Sequence, residues 1–289
     1  MKLSGHTKPY AVLGHPIGHT LSPVMHNASF QALGLDAIYL AFDVHPDRLL
    51  AVLASMRDMG FGGVNLTVPL KEFAFRGLQN LDVTARRLGA VNTVEFLADG
   101  TLKGYNTDGG GFLTAVEEAF ATRVGGKHLF VLGCGGAGRA VALTAAAEGA
   151  AQLALADVDA ARVERLAQEI RNEFPACALV SAAGSDAWAR ASREAELVVQ
   201  STPVGMKPTD ATLLGPDAFR PGQMVFDLVY MYPETAFMKA AAAGGARTSN
   251  GLGMLLHQGA RAFKIWTGTD ADVAAMRRAL EASVYGEKP

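Results

Sequence analysis

The chain has 289 residues, 49% of them hydrophobic and 19% charged, with a formal net charge of −2. That is enough apolar material for two packed cores, and it excludes a disordered chain. Near-neutral charge with no long basic run excludes an electrostatic grip on nucleic acid or an anionic membrane. No apolar stretch approaches the roughly 18 residues that span a bilayer, and residues 1–9 lack a secretory apolar region. The two cysteines, Cys134 and Cys177, form no CxxC pair and no metal-type cluster with the histidines. The expectation is a cytoplasmic protein with reduced thiols and no metal.

In chain order, Tyr10 to Gly14 reads as a buried strand. Ser22-Pro23 suits a helix start, with Ser22 as cap and Gly34 as stop. Ile38 to Val44 is the next strand, and Pro46 to Met59 a helix with Leu49, Val52, Leu53 and Met56 on one face. Gly63 to Val68 is a strand running into Pro69. Ala90 to Phe96 pairs with Thr101 to Tyr105 through Asp99-Gly100. A second block follows: helix Gly111 to Ala121, strand His128 to Leu132, helix Ala137 to Glu148, strand Leu153 to Ala156 and helix Ala160 to Phe174. Further strands lie near Ala178 to Val180, Leu197 to Gln200 and Met224 to Val229. This alternation predicts an α/β fold with a doubly wound parallel sheet of Rossmann type. Leu252 to Val284 reads as two helices. The expected organisation is a substrate-binding α/β domain over 1–107, rejoined by 252–289, and a dinucleotide domain over 108–251, with a cleft between them.

Gly133-Cys134-Gly135-Gly136-Ala137-Gly138 fits G-x-G-x-x-G, with a hydrophobic strand before it and a good helix after it. The first glycine permits the tight turn, the second lets backbone approach a pyrophosphate, and the third allows close helix–strand packing. The helix N-terminus would face the phosphates. Asp157 lies 19 positions beyond Gly138, where a ribose-binding acid belongs. A carboxylate there accepts from a free 2′-hydroxyl and repels a 2′-phosphate, so NAD is favoured over NADP. The competing reading makes Asp157 a helix cap, although Asp159 is an equally good one.

Four stretches then stand in order. They are Gly14-His15-Pro16-Ile17-Gly18-His19-Thr20-Leu21-Ser22-Pro23, Asn65-Leu66-Thr67-Val68-Pro69-Leu70-Lys71, Gly89-Ala90-Val91-Asn92-Thr93 and Gly104-Tyr105-Asn106-Thr107-Asp108-Gly109. With Ser201 to Met206, Asp227 to Tyr230 and Gly251 to Gln258, they resemble the shikimate dehydrogenase family over almost the whole chain. The resemblance implies reversible reduction of 3-dehydroshikimate to shikimate, or of 3-dehydroquinate to quinate, in aromatic amino acid biosynthesis or quinate breakdown. Hydride addition to a ketone leaves charge on oxygen, so a positioned proton donor is needed. By motif position Lys71 is the catalytic lysine and Asp108 its acidic partner. Thr20 and Ser22 would hold the ring carboxylate. Thr67, Asn92 and Gln258 would bind carboxylate or ring hydroxyls, Asn65 would support the loop, and Tyr230 lies on the substrate side.

On the cofactor side the resemblance adds Thr202, Val204, Met206, Leu228 and Gly251, and Met254 either near the nicotinamide or in the helix core. Several positions depart from the family pattern. Thr20 replaces a serine, Gln200 and Asn250 replace an asparagine and an aspartate, and Pro233 falls one place late. At Ala156-Asp157-Val158 the chain resembles the NAD-using quinate/shikimate branch, including Asp157 through Arg162. Three functions stay open: this dehydrogenase, a non-catalytic shikimate or quinate sensor, and a dehydrogenase for an amino analogue of shikimate. Monomer and homodimer are equally compatible with the sequence.

Overall fold

The computed structural model describes residues 3–286. It divides into two compact units, 1–111 with 256–289, and 112–255. The first begins with β1 (Lys8–Gly14), α1 (Ser22–Ala32), β2 (Ala37–Asp43), α2 (Leu49–Asp58), β3 (Gly63–Leu66) and α3 (Leu70–Gly77). It continues with β4 (Asn80–Leu81), α4 (Val83–Leu88), β5 (Thr93–Phe96) and β6 (Leu102–Tyr105), and α5 (Asp108–Phe120) follows. The second unit carries β7 (His128–Leu132), α6 (Gly136–Ala147), β8 (Gln152–Ala156), α7 (Ala160–Glu173) and β9 (Ala178–Ser181). After these come α8 (Ser185–Glu194), β10 (Leu197–Gln200), β11 (Met224–Asp227), α9 (Ala236–Ala243) and β12 (Arg247–Asn250). Finally α10 (Leu252–Thr267) returns the chain to the first unit, which includes α11 (Val273–Tyr285). Both crossings run inside helices, so no loop marks either in the sequence; the expected boundaries after 107 and before 252 each fall four residues earlier.

The first unit holds a mixed sheet in the order β2-β1-β3-β5-β6-β4. β1 runs parallel to β2 and β3, while β5 runs antiparallel to β3 and β6. Register places Asn65 opposite Thr93, and Thr93 opposite Tyr105. The ends of β1, β3 and β6 and the start of β5 therefore share one edge, and the loops leaving it carry most of the polar motif residues. Under the sheet, α2 buries Leu49, Leu53 and Met56 at helical spacing against Leu13, Val64, Leu66 and Leu70. Each fully buried leucine contributes roughly 2 kcal/mol. α1 opens with Leu21 as its cap residue, so Ser22 is the first helical residue rather than the cap.

The second unit has a fully parallel sheet in the order β12-β11-β10-β7-β8-β9. Strand order reverses between β7 and β10, and dinucleotides bind outside the carboxyl ends of strands at such a reversal. Its core gathers Phe130, Leu132, Val198, Val225, Phe219 and Phe237. α7 buries Val163, Leu166, Ala167 and Ile170 and is capped by Asp159, which accepts from Ala161 N and Arg162 N.

Candidate active site

At the loop-bearing edge of the first sheet, Lys71 Nζ lies 2.7 Å from Asp108 Oδ2, both side chains largely shielded. Lys71 is in the first turn of α3, behind Val68-Pro69, and its carbonyl accepts from Val91 N. Asp108 opens α5, and its N–H donates to Asn106 Oδ1. Its other oxygen accepts from Asn92 Nδ2 at 2.9 Å. The same amide donates to Thr107 Oγ1 at 2.9 Å and lies 3.4 Å from Gln258 Oε1. Asn92 Oδ1 accepts from Thr107 N and Thr93 Oγ1. One buried asparagine thus fixes the acid and touches the glutamine, 166 positions away in sequence.

Behind this cluster Asn65 is buried and fully engaged. It accepts from Tyr39 Oη at 2.6 Å and donates to Asn92 O and Thr93 Oγ1 at 3.0 Å. Tyr39 is buried, and burial holds its hydroxyl well above the ordinary tyrosine range, with the Ser22 hydrogen bond pulling the other way. Its hydroxyl holds Asn65 in place, a role the sequence reading missed. A tyrosine on a strand reads as core, and nothing local announces its hydroxyl. Ser22 N donates to Thr20 Oγ1 at 3.3 Å, and Thr67 packs so closely on Gly14 that a Cβ there would lie 2.6 Å from its methyl. The structure gathers Lys71, Asp108, Asn92 and Gln258 into one network, sets Asn65 beneath it, and places Thr20 and Thr67 on loops of the same edge and Ser22 at the start of α1. An ion-paired lysine beside hydroxyls and amides can bind a polyhydroxylated anion and exchange a proton with it.

In the second unit a cavity of about 270 Å³ is lined by Gly133, Gly135, Asp157, Arg162, Thr202 and Val204 among others. Gly133 has φ +102°, a conformation that favours glycine. A Cβ on Gly138 would fall 1.8 Å from Gly133 O, whereas one on Gly135 meets nothing within 4 Å. The third glycine is therefore needed for packing, and the second leaves open space for a ligand. This cradle, with Gly136, Ala137 and the N-terminus of α6 behind it, fits the pyrophosphate of a dinucleotide. Trp188, Ser201, Val158 and Leu213 also line the cavity and were missed; Trp188 sits on a polar helix with no motif around it. Met206, Leu228, Gly251 and Met254 are not among its lining residues. Tyr230 is half-buried in this unit, which raises its hydroxyl pKa. A Cβ on Gly251 would meet Leu228 O at 2.2 Å, so those two backbones pack directly.

Among the described residues no helix is long and apolar enough to cross a membrane, and no group of three or more His, Cys, Asp or Glu could hold a metal.

A Rossmann unit with a glycine cradle, joined to an α/β unit with a lysine–aspartate pair, defines a dinucleotide-dependent oxidoreductase. The family model for the shikimate dehydrogenase substrate binding domain matches residues 12–94, and that for the shikimate 5′-dehydrogenase C-terminal domain matches 251–281. A shikimate dehydrogenase (NADP(+)) of Moorella thermoacetica is 48% identical over 272 residues, 93% of this chain and 91% of that protein. A shikimate dehydrogenase solved with NADP+ superposes with a TM-score of 0.90 at 35% identity, covering 98% of each chain. The shikimate 5-dehydrogenase of Listeria monocytogenes, solved with shikimate and NAD, gives 0.89 at 36% identity, covering 97% of this chain and 98% of its own. The chain belongs to the shikimate dehydrogenase family.

These relatives correct the expectation that NAD is favoured. Five curated relatives, 39 to 48% identical, carry NADP(+) in their names. The structure supplies a physical reason why Asp157 misled. Its Oδ2 accepts from Cys134 N at 2.7 Å and its Oδ1 from Asp159 N at 2.9 Å. The carboxylate braces the glycine loop through these two N–H groups while lining the cavity, and Arg162, paired with Asp159 at 3.3 Å, lines the same cavity and brings a positive charge to it.

Proposed function

We propose that this chain is a shikimate dehydrogenase that interconverts shikimate and 3-dehydroshikimate with NADP. The observation that carries this reading is the 2.7 Å Lys71–Asp108 pair, set at one sheet edge among Asn92, Gln258, Thr67, Thr20 and Ser22. The Thr20 and Ser22 hydroxyls donate to the ring carboxylate. Asn92, Gln258 and Thr67 pair with ring hydroxyls, and an analogue lacking one leaves a polar group of the site unpaired. Lys71 gives a proton to the ketone oxygen as it gains charge in reduction, and takes it back in oxidation. Asp108 holds the ammonium in place and accepts from a neighbouring substrate hydroxyl, while Asn92 fixes the acid. When bound, the reduced dinucleotide would supply the hydride in ketone reduction and the oxidised one would receive it in the reverse direction. In the second unit, the open face of Gly135 and the N-terminus of α6 take the pyrophosphate, and Arg162 answers the 2′-phosphate.

The test is reduced-nicotinamide absorbance with the full chain, crossing shikimate and quinate with NADP and NAD. Shikimate with NADP should give the highest kcat/KM. Thermal stabilisation by shikimate with no turnover in any pairing would overturn the enzyme reading in favour of a binding protein. Turnover of an amino analogue alone would move the substrate.

A further inference from the structure

Gln200 and Asp227 are the last residues of β10 and β11, paired in register and fully buried. Gln200 Nε2 donates to Asp227 Oδ1 at 3.2 Å and to Val204 O at 2.9 Å, while its Oε1 accepts from Thr202 N at 2.5 Å. Asp227 Oδ1 also accepts from Val229 N at 3.0 Å, and Oδ2 from Thr235 Oγ1 at 2.6 Å. Thr235 in turn caps α9 by accepting from Met238 N. At the far end of the same loops, Tyr232 Oη donates to Met206 O at 2.7 Å. Residues 201–206 and 228–232 are therefore tied at the base and again at the tip.

We propose that Gln200 and Asp227 are positioning residues for the dinucleotide, locking the loops after β10 and β11 into one block that receives its nicotinamide half. This rests on the dinucleotide reading above. β10 to β12 form the second mononucleotide half of the sheet. Thr202 and Val204 line the cavity that also holds the glycine turn, and both are held by the Gln200 amide. The β ladder alone would align the strands with apolar residues here. What a buried amide and carboxylate add is a fixed direction for loop N–H and C=O groups. Burial costs the carboxylate enough to push its pKa up to about 6, and every partner named for it belongs to this block.

The experiment uses the full chain with Gln200→Met, which keeps length and removes the bonds, and Asp227→Asn, which keeps an oxygen acceptor for Gln200 and Val229. NADP and shikimate are titrated separately, kcat and KM are measured, and amide exchange is followed over 202–206 and 228–230. Gln200→Met should raise the NADP Kd and KM about tenfold, leave the shikimate Kd within about twofold and speed exchange in both loops. Asp227→Asn should produce the same pattern at about threefold. An unchanged NADP Kd with loops as protected as in the wild type overturns the proposal, as does equal weakening of both ligands. A wild type that binds NADP but oxidises no shikimate sinks the substrate reading alone, because the titrations still decide the role of this pair.

Discussion

Lys71 Nζ and Asp108 Oδ2 stand 2.7 Å apart, and the other oxygen of Asp108 is held by Asn92. The lysine therefore has one defined direction. Lys71→Ala should lower kcat by roughly 10²–10⁴, the range for a lost proton-transfer group, with the shikimate Kd much less affected. Steady-state kinetics beside a calorimetric titration checks this. A tenfold or smaller loss of kcat would remove Lys71 from proton transfer.

Asn65 should matter to folding more than to turnover. Its replacement by leucine leaves the Tyr39 hydroxyl, the Asn92 carbonyl and the Thr93 hydroxyl short of a partner in a buried place. The expected cost is about 3 kcal/mol, read as a lowered urea midpoint. Tyr39→Phe removes one bond of that set and should cost about 1 kcal/mol.

Gly138→Ala tests the dinucleotide cradle. The new methyl would collide with Gly133 O, so the turn must open. NADP binding should fall by more than tenfold while shikimate binding, built in the other unit, persists. Retained NADP affinity in this variant would mean that the turn does not hold the pyrophosphate.

Two buried groups give opposite pH responses. Burial pushes Asp227 up to about 6 from 3.8, so the folded state keeps a proton that the unfolded state has lost. Its contribution is largest below about pH 4 and falls as pH rises to about 6, by on the order of 3 kcal/mol. Burial pushes His26 down to about 3 from 6.5, so its contribution is full above 6.5 and falls as pH drops toward 3. Between pH 6 and 4, amides of β1 should lose protection relative to those of β11, and Asp227→Asn should remove the gain in the second unit.

The glycine turn was legible because its requirement is local: one strand, one φ above zero, one close approach. Lys71 and Asp108 were individually ordinary residues, and only the order of motifs around them pointed to a pair. Asn92 and Gln258 meet across 166 positions, a distance over which spacing says nothing. Tyr39 went unseen because an aromatic on a strand looks like packing, and Trp188 because no motif surrounds it on α8. β12, Arg247–Asn250, was unread since four polar residues at a sheet edge show no alternation of apolar side chains. The cofactor reading failed at one position, where a carboxylate taken as free turned out to hold two backbone N–H groups.

The most direct test of the central claim follows the hydrogen itself. Shikimate carrying deuterium on the carbon whose hydroxyl is oxidised would be incubated with the full chain and NADP, and the dinucleotide product weighed by mass spectrometry. The account predicts one deuterium in the reduced dinucleotide and none with Lys71→Ala over the same interval. Reduced dinucleotide without deuterium, or none at all from active-site-saturating shikimate, would contradict it.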